Sequence, residues 1–243
     1  VRKFELDKMC VACRLAAETL AGVKAIIRPG ITTDDINRWV HNDTVRRGGY
    51  PAPLNYKGFP KSCCTSVNDV VCHGIPGPYM LKDGDIVNVD VTTIFDGHFG
   101  DTSATFYVGT VDPKVQHLVG ITLDAMLEGI SRVRPGIALN DVGRAVQRFV
   151  EQHGYSVVKE FGGHGVGTRF HTAPHVAHYD VGDDVVILQP GMTFTIEPMV
   201  NMGAPDIRLE ADKWTVRTQD GKPSAQFEHT VLVTEDGHEV LTA

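Results

Sequence analysis

Four carboxylates and one histidine stand where a chain of this composition has least reason to place them. Asp90 closes the run Asp85-Ile86-Val87-Asn88-Val89, and Asp101 opens the run from Thr102 to Val108. Glu197 closes the run from Met192 to Ile196, and Glu228 precedes the run from His229 to Val233. Each run is rich in β-branched and aromatic residues and reads as a strand. A carboxylate in such a setting is costly to bury alone. Four of them need a compensating charge, and a bound divalent cation supplies it. His164, in Gly162-Gly163-His164-Gly165-Val166-Gly167, adds an imidazole. Oxygen ligands with a single imidazole suit Mn, Fe, Co or Zn. The glycine run is not a phosphate loop, since it has neither GxxxxGK nor GxGxxG spacing.

The elements that must hold these groups come twice. Arg28-Pro29-Gly30-Ile31 recurs as Arg134-Pro135-Gly136-Ile137, an offset of 106 (134 − 28). Helical patterns flank each copy, at roughly 4–27 and 33–47 in the first and roughly 113–133 and 139–153 in the second. Thr32 and Asp35 have the spacing of a capping box for the second helix. Leu81-Lys82-Asp83-Gly84 matches Leu188-Gln189-Pro190-Gly191 at an offset of 107 (188 − 81), which carries Asp90 onto Glu197. Asp101 and Glu228 follow as the second acid of each copy, in looser register. The expectation is one α+β domain over 1–243, built from two halves of approximately 1–110 and 111–243. An antiparallel sheet would carry helix pairs on its outer face, because sheet faces are apolar and must be covered. The ligands would point from the concave face opposite, with residues 51–64 as a loop nearby.

Composition narrows the class. The 243 residues carry a net charge of −7 and no dense Lys/Arg block, which argues against nucleic acid as the main ligand. No apolar run approaches the roughly 18 residues of a membrane span, and the N-terminal stretch lacks a signal-peptide core, so a cytoplasmic protein is expected. Five cysteines fit a reducing compartment better than a disulfide framework. Cys10 and Cys13 form a CxxC inside the helical pattern Leu6, Met9, Cys13, Ala16, Leu20, and no second CxxC completes a zinc site. Cys63 and Cys64 are adjacent, so a disulfide between them would be strained and free thiols are expected.

The segments VCHGIP (71–76), VNVDVT (87–92), FGDTSATF (99–106), GGHGVG (162–167), FTIEPM (194–199) and FEHTVLVT (227–234) closely resemble those of type I methionine aminopeptidases, in family order and spacing. The resemblance implies the pseudo-twofold pita-bread fold and two divalent metal ions, Co, Mn, Fe or Zn. It assigns Asp90 to one ion, Asp101 and Glu228 to both as bridges, and His164 and Glu197 to the second. Four carboxylates would balance two such ions, −4 against +4. It makes Glu197 the proton shuttle from the attacking water to the leaving amine, His171 the donor to the scissile carbonyl oxygen, and His73 a contact to the substrate backbone. Tyr56, Phe59, Cys64, His73, Phe170 and Trp214 fall at positions lining the methionine pocket, and aromatics with sulfur suit a polarisable thioether. Cys64 is expected at the pocket mouth, within reach of thiol reagents. Pro53 departs from the cysteine that the resemblance leads one to expect. His175 and His178 read as structural or surface residues, and His98 and His229 as partners of the ligands they flank. The implied activity is removal of the initiator methionine from nascent chains with a small second residue. The ribosome is then a candidate partner, and the working unit is expected to be a monomer.

Overall fold

The computed structural model describes residues 3–182 and 186–243. Four helices fall where the helical patterns predict them: α1 (Lys3–Val23), α2 (Thr33–Arg46), α3 (Pro113–Ser131) and α4 (Asn140–Gln152). Thr32 caps α2 through the Asp35 amide while the Asp35 carboxylate takes the Thr32 amide at 2.9 Å, the reciprocal capping box. Asp112 caps α3, whose first turn carries Pro113, where the missing N–H is not needed. Helix α1 ends before its pattern does. The Ile26 and Ile27 amides still bond the Val23 carbonyl, and both side chains pack into the core, so apolar spacing continues through a turn.

The strands are β1 (Tyr50–Pro51), β2 (Cys64–Val67), β3 (Val70–Cys72), β4 (Ile86–Phe95), β5 (His98–Tyr107), β6 (Ser156–Val157), β7 (Gly163–Gly165), β8 (Thr172–Val176), β9 (Thr193–Ile196), β10 (Met199–Asn201), β11 (Ile207–Leu209), β12 (Val216–Thr218), β13 (Ser224–Gln226), β14 (His229–Val233) and β15 (His238–Val240). Two antiparallel sheets carry the candidate ligands. One has the order β1-β4-β2 with β5 also paired to β4; the other runs β15-β14-β9-β7-β8. They meet where Ser103 and Glu228 exchange both backbone bonds, at 3.0 and 3.3 Å. The sheet is therefore two ladders joined at one bridge rather than a single continuous one.

Strand alternation sorts the side chains. On β4, Val87, Val89 and Val91 pack under α1 and α2 with Ala16, Leu20, Ile36 and Val40. Asn88, Asp90 and Thr92 alternate with them and take the opposite face. On β9 and β14, Phe194, Ile196, Val231 and Val233 pack against Met126 and Ile130 of α3. Each buried valine or larger side chain contributes roughly 1.5–3 kcal/mol of transfer free energy, so this pattern fixes the register. Helix α1 lies so close to β5 that a Cβ on Gly100 would come within 2.3 Å of the Cys13 amide nitrogen. Only glycine lets the helix backbone reach the strand one residue from Asp101.

The two RPGI turns are held alike. Gly30 donates to the Leu81 carbonyl at 2.8 Å and Leu81 to Ile31 at 2.8 Å; Gly136 donates to Leu188 at 2.9 Å and Leu188 to Ile137 at 2.9 Å. Asp90 lies in the middle of β4 rather than at its end, because the strand runs on through Val91–Phe95 to pair with all of β5. All five cysteines are free thiols.

Candidate active site

Every candidate site residue named from the sequence lines one cavity of about 320 Å³. Asp90 and Asp101 enter from β4 and β5, His164 from β7, Glu197 just after β9, and Glu228 just before β14. His73, His171, Tyr56, Phe59, Cys64, Phe170 and Trp214 complete the wall. Asp101, His164 and Glu228 each offer a ligand atom within 4.8 Å of the others.

The carboxylates are held by partners on the same sheet faces. Thr92 donates to Asp101 Oδ1 at 2.7 Å across the β4–β5 pair. Thr195 donates to Glu197 Oε1 at 2.7 Å, and Gln226 donates to Glu197 Oε2 at 3.2 Å. Asp90 Oδ1 is buried without a hydrogen-bond partner. Burial pushes the Asp101 carboxyl up to about 7 against the pull of the Thr92 hydroxyl. Burial, and then the neighbouring acids, push Asp90, Glu197 and Glu228 well above the usual carboxylate range. The cluster cannot be fully ionised at neutral pH without added positive charge.

His164 shows what kind of charge fits. Its Nδ1 lies 3.2 Å from the Gly165 carbonyl oxygen, which can only accept, so Nδ1 carries the hydrogen and Nε2 is bare. Nε2 faces Asp101 Oδ2 at 3.5 Å and Glu197 Oε1 at 3.6 Å. Burial holds the ring's pKa down, to about 4, so the ring itself carries no second proton at neutral pH. Three lone-pair-bearing atoms converge at separations too long for good hydrogen bonds. That donor set fits a divalent cation, and the Gly165 carbonyl orients the ring as such ligands require. Strand β7 can lie this deep because its flanks are glycine: a Cβ on Gly163 would meet the Thr195 carbonyl oxygen at 2.1 Å.

The remaining polar groups line the approach. His171 sits beside His164 with ring centroids 4.1 Å apart, and its Nδ1 lies 3.1 Å from the Tyr56 hydroxyl. The crowded cleft, then His164, His73 and Lys57, hold the His171 pKa down, to about 3. His73 has a left-handed backbone (φ 55°) and meets Phe161 and Trp214 edge-on. Its burial, and then His164, hold its pKa down, to about 4. Phe59 meets Trp214 at 5.2 Å, and Tyr56 meets Phe170 at 4.8 Å. The loop bearing Tyr56 holds Asn55 and Lys57 at positive φ (66° and 48°), a strained turn of the sort that accumulates at functional sites.

Three expectations need correction. Cys64 is buried rather than at the cavity mouth, because β2 pairs it directly with Asp90. Its thiol pKa lies well above normal, first through burial and then through Asp90, so it is a poor nucleophile. His98 and His229 bond away from the ligands, to the Asp96 carbonyl and the Thr242 hydroxyl. They sit an odd number of residues from Asp101 and Glu228, which puts them on the opposite strand face. The sequence reading also missed three supporting residues. Thr92, Thr195 and Gln226 each lie two positions from a candidate ligand, so the period of a strand would have found them. His178, expected to be structural or on the surface, is structural: it is fully buried and its Nε2 accepts the Glu197 amide at 3.0 Å, a contact that nothing in the sequence announces. Lys57, Phe161, Gly162 and Met199 also line the cavity unannounced.

Sheet architecture, donor set and a cleft walled in part by aromatic side chains together fit a metallohydrolase. The profile of metallopeptidase family M24 matches residues 7–235, and the chain belongs to that family. Methionine aminopeptidase 2 of Mycobacterium tuberculosis is 51% identical over 237 residues, spanning 98% of this chain and 83% of that protein. Methionine aminopeptidase of Rickettsia prowazekii is 51% identical over 236 residues, spanning 97% of this chain and 91% of that protein. The crystal structure of the Rickettsia prowazekii methionine aminopeptidase superposes with a TM-score of 0.98 at 50% identity, covering 100% of this chain and 98% of that one. A prolidase from Pyrococcus furiosus shares the fold, with a TM-score of 0.80 at 21% identity over 99% of this chain and 64% of that one.

Proposed function

We propose that this chain is a methionine aminopeptidase. It removes the initiator methionine from chains with a small second residue, using two divalent ions held by Asp90, Asp101, His164, Glu197 and Glu228. The observation that carries the metal reading is the bare His164 Nε2 facing oxygens of Asp101 and Glu197. Bound divalent ions of the Co, Mn, Fe or Zn type would supply Lewis acidity and a water activated for attack at neutral pH. Glu197 would take a proton from the attacking water and pass it to the leaving amine. Thr195 and Gln226 hold its two oxygens in place for both transfers. His171 donates to the scissile carbonyl oxygen as negative charge develops there, and His73 contacts the substrate backbone.

Tyr56, Phe59, Cys64, Phe170 and Trp214, joined by Met199, give the cavity a polarisable apolar end for an unbranched thioether. The reading takes the chain as one domain of two related halves, each giving two carboxylates to the seam. Its setting is the cytosol, its substrates are nascent chains at the ribosome, and its working unit is the monomer. Among the described residues, no helix is long and apolar enough to cross a membrane.

The test is a panel of Met-Ala-Ser, Met-Leu-Ser, Leu-Ala-Ser and Ala-Pro-Ser with metal-analysed protein. Rapid methionine release from the first alone is expected. A hydrophobic pocket discriminates by about 10- to 200-fold per methylene-sized change, so slow turnover of Leu-Ala-Ser is compatible with the reading and equal turnover is not. Preference for Ala-Pro-Ser would make the chain a proline-directed peptidase instead.

A further inference from the structure

The two adjacent imidazoles of the cleft have opposite neighbours. His164 Nδ1 faces a carbonyl oxygen and must donate to it, leaving Nε2 bare. His171 Nδ1 instead faces a phenol, 3.1 Å from the Tyr56 oxygen. A phenol can donate or accept, but its oxygen is a weak acceptor and its hydrogen a good donor, while an unprotonated imidazole nitrogen is a strong acceptor. The O–H···N arrangement therefore wins over N–H···O. It places the His171 hydrogen on Nε2, the nitrogen remaining for the cavity. Tyr56 is fixed for this task by its packing, with the ring against Phe170 at 4.8 Å and stacked on His171 at 5.3 Å with an interplanar angle of 24°.

We infer that Tyr56 is a positioning residue that locks His171 in the Nε2–H tautomer, so that neighbouring His164 and His171 are held in opposite tautomers, one as a lone-pair donor and one as a hydrogen donor. The assignment rests on the aminopeptidase reading for its catalytic consequence, since only the Nε2–H form can donate to a carbonyl oxygen from that edge. It gives Tyr56 a second role besides lining the side-chain pocket. The phenol oxygen serves His171, and the ring helps to line the cavity. Tyr56→Phe separates the two, because it removes the hydroxyl and keeps the ring.

The experiment has two arms. In the first, zinc-loaded, 15N-labelled protein at neutral pH is examined by long-range 1H–15N correlation of its imidazoles. His171 should carry its hydrogen on Nε2 and show a hydrogen-bonded, unprotonated Nδ1, and Tyr56→Phe should shift that Nδ1 to the position of a free one. A His171 protonated at Nδ1 in the unaltered protein would overturn the inference, whatever the fate of the variant.

In the second arm, Tyr56→Phe should lower kcat for Met-Ala-Ser by about 3- to 15-fold, the worth of one net hydrogen bond, with KM within about twofold. In a His171→Gln background, where no tautomer exists to be set, Tyr56→Phe should change kcat by less than about twofold. An equal loss in both backgrounds would place the hydroxyl's effect elsewhere and defeat the proposal. Failure of the unaltered protein to release methionine would count against the aminopeptidase reading, and the spectroscopic arm would still decide the tautomer.

Discussion

His178 offers a test of how the site is built, because its burial and its bond both demand the neutral ring. Its Nε2 accepts the Glu197 amide, and burial, then His175, hold its pKa down from 6.5 to about 3. The ring is therefore neutral when folded and titrates normally when unfolded. A depressed histidine pKa contributes stability that is fully present above 6.5 and is lost as pH falls toward about 3. At pH 5 the unfolded histidine sits 1.5 units below its ordinary value of 6.5 while the folded one has barely begun to protonate. The loss is then about 2 kcal/mol. His178→Gln keeps an acceptor at the reach of Nε2 and removes the titration. It should cost about 1 kcal/mol or less at pH 7.5. His178→Ala orphans a buried amide and leaves a cavity, for about 3–5 kcal/mol.

The assay is urea unfolding of metal-free protein at pH 7.5 and pH 5. The difference between the unaltered protein and the His178→Gln variant cancels every other titrating group. That difference should move by about 2 kcal/mol in favour of the variant on going to pH 5. A shift below about 0.5 kcal/mol would refute the reasoning, since His178 would then be titrating alike in both states.

Glu197→Gln should lower kcat by roughly 10²- to 10⁴-fold, with metal content measured alongside because Glu197 is also a candidate ligand. Gly163→Ala should destabilise the fold by at least about 2 kcal/mol in urea unfolding, because its Cβ would meet the Thr195 carbonyl oxygen at 2.1 Å. The rise in Tm on adding Mn²⁺ to chelated protein should be larger at pH 7.5 than at pH 5. The raised Asp101 pKa contributes stability to the metal-free fold that is full below the unfolded value near 4 and is lost as pH rises through about 7, where the cation takes over. An increment that shrinks with rising pH would contradict that account.

The helices and the four acid-bearing strands were legible because their periods differ. Leu6, Met9, Cys13, Ala16 and Leu20 step by three and four, while Val87, Val89 and Val91 step by two. The candidate ligands stood out because acids are so costly beside valine and isoleucine. What the sequence hid depends on contacts between distant segments. His178 reaches Glu197 across 19 positions, and nothing local marks it. Cys64 was misplaced because its depth follows from its pairing with Asp90, 26 positions away (90 − 64). The extent of β4 past Asp90 was hidden because the acid itself reads as the close of the run, yet Val91, Thr92 and Thr93 beyond it are buried in the sheet.

The bridge between Ser103 and Glu228 has a thermodynamic consequence. Asp101 and Glu228 stand on opposite sides of it, and the Thr230 hydroxyl donates across it to the Asp101 carbonyl at 2.8 Å. A cation at Asp101, His164 and Glu228 would thus be coordinated from both ladders at once. Any excursion that parts them would dismantle that coordination sphere and forfeit the binding free energy, so an ion there would act as a rivet. Stabilisation of RT ln(1 + [M]/Kd) would accrue to the seam itself. Loading should therefore merge the opening of the two ladders into one cooperative unit, visible as amide exchange at Ser103, Glu228 and Thr230 slowing together when metal is supplied.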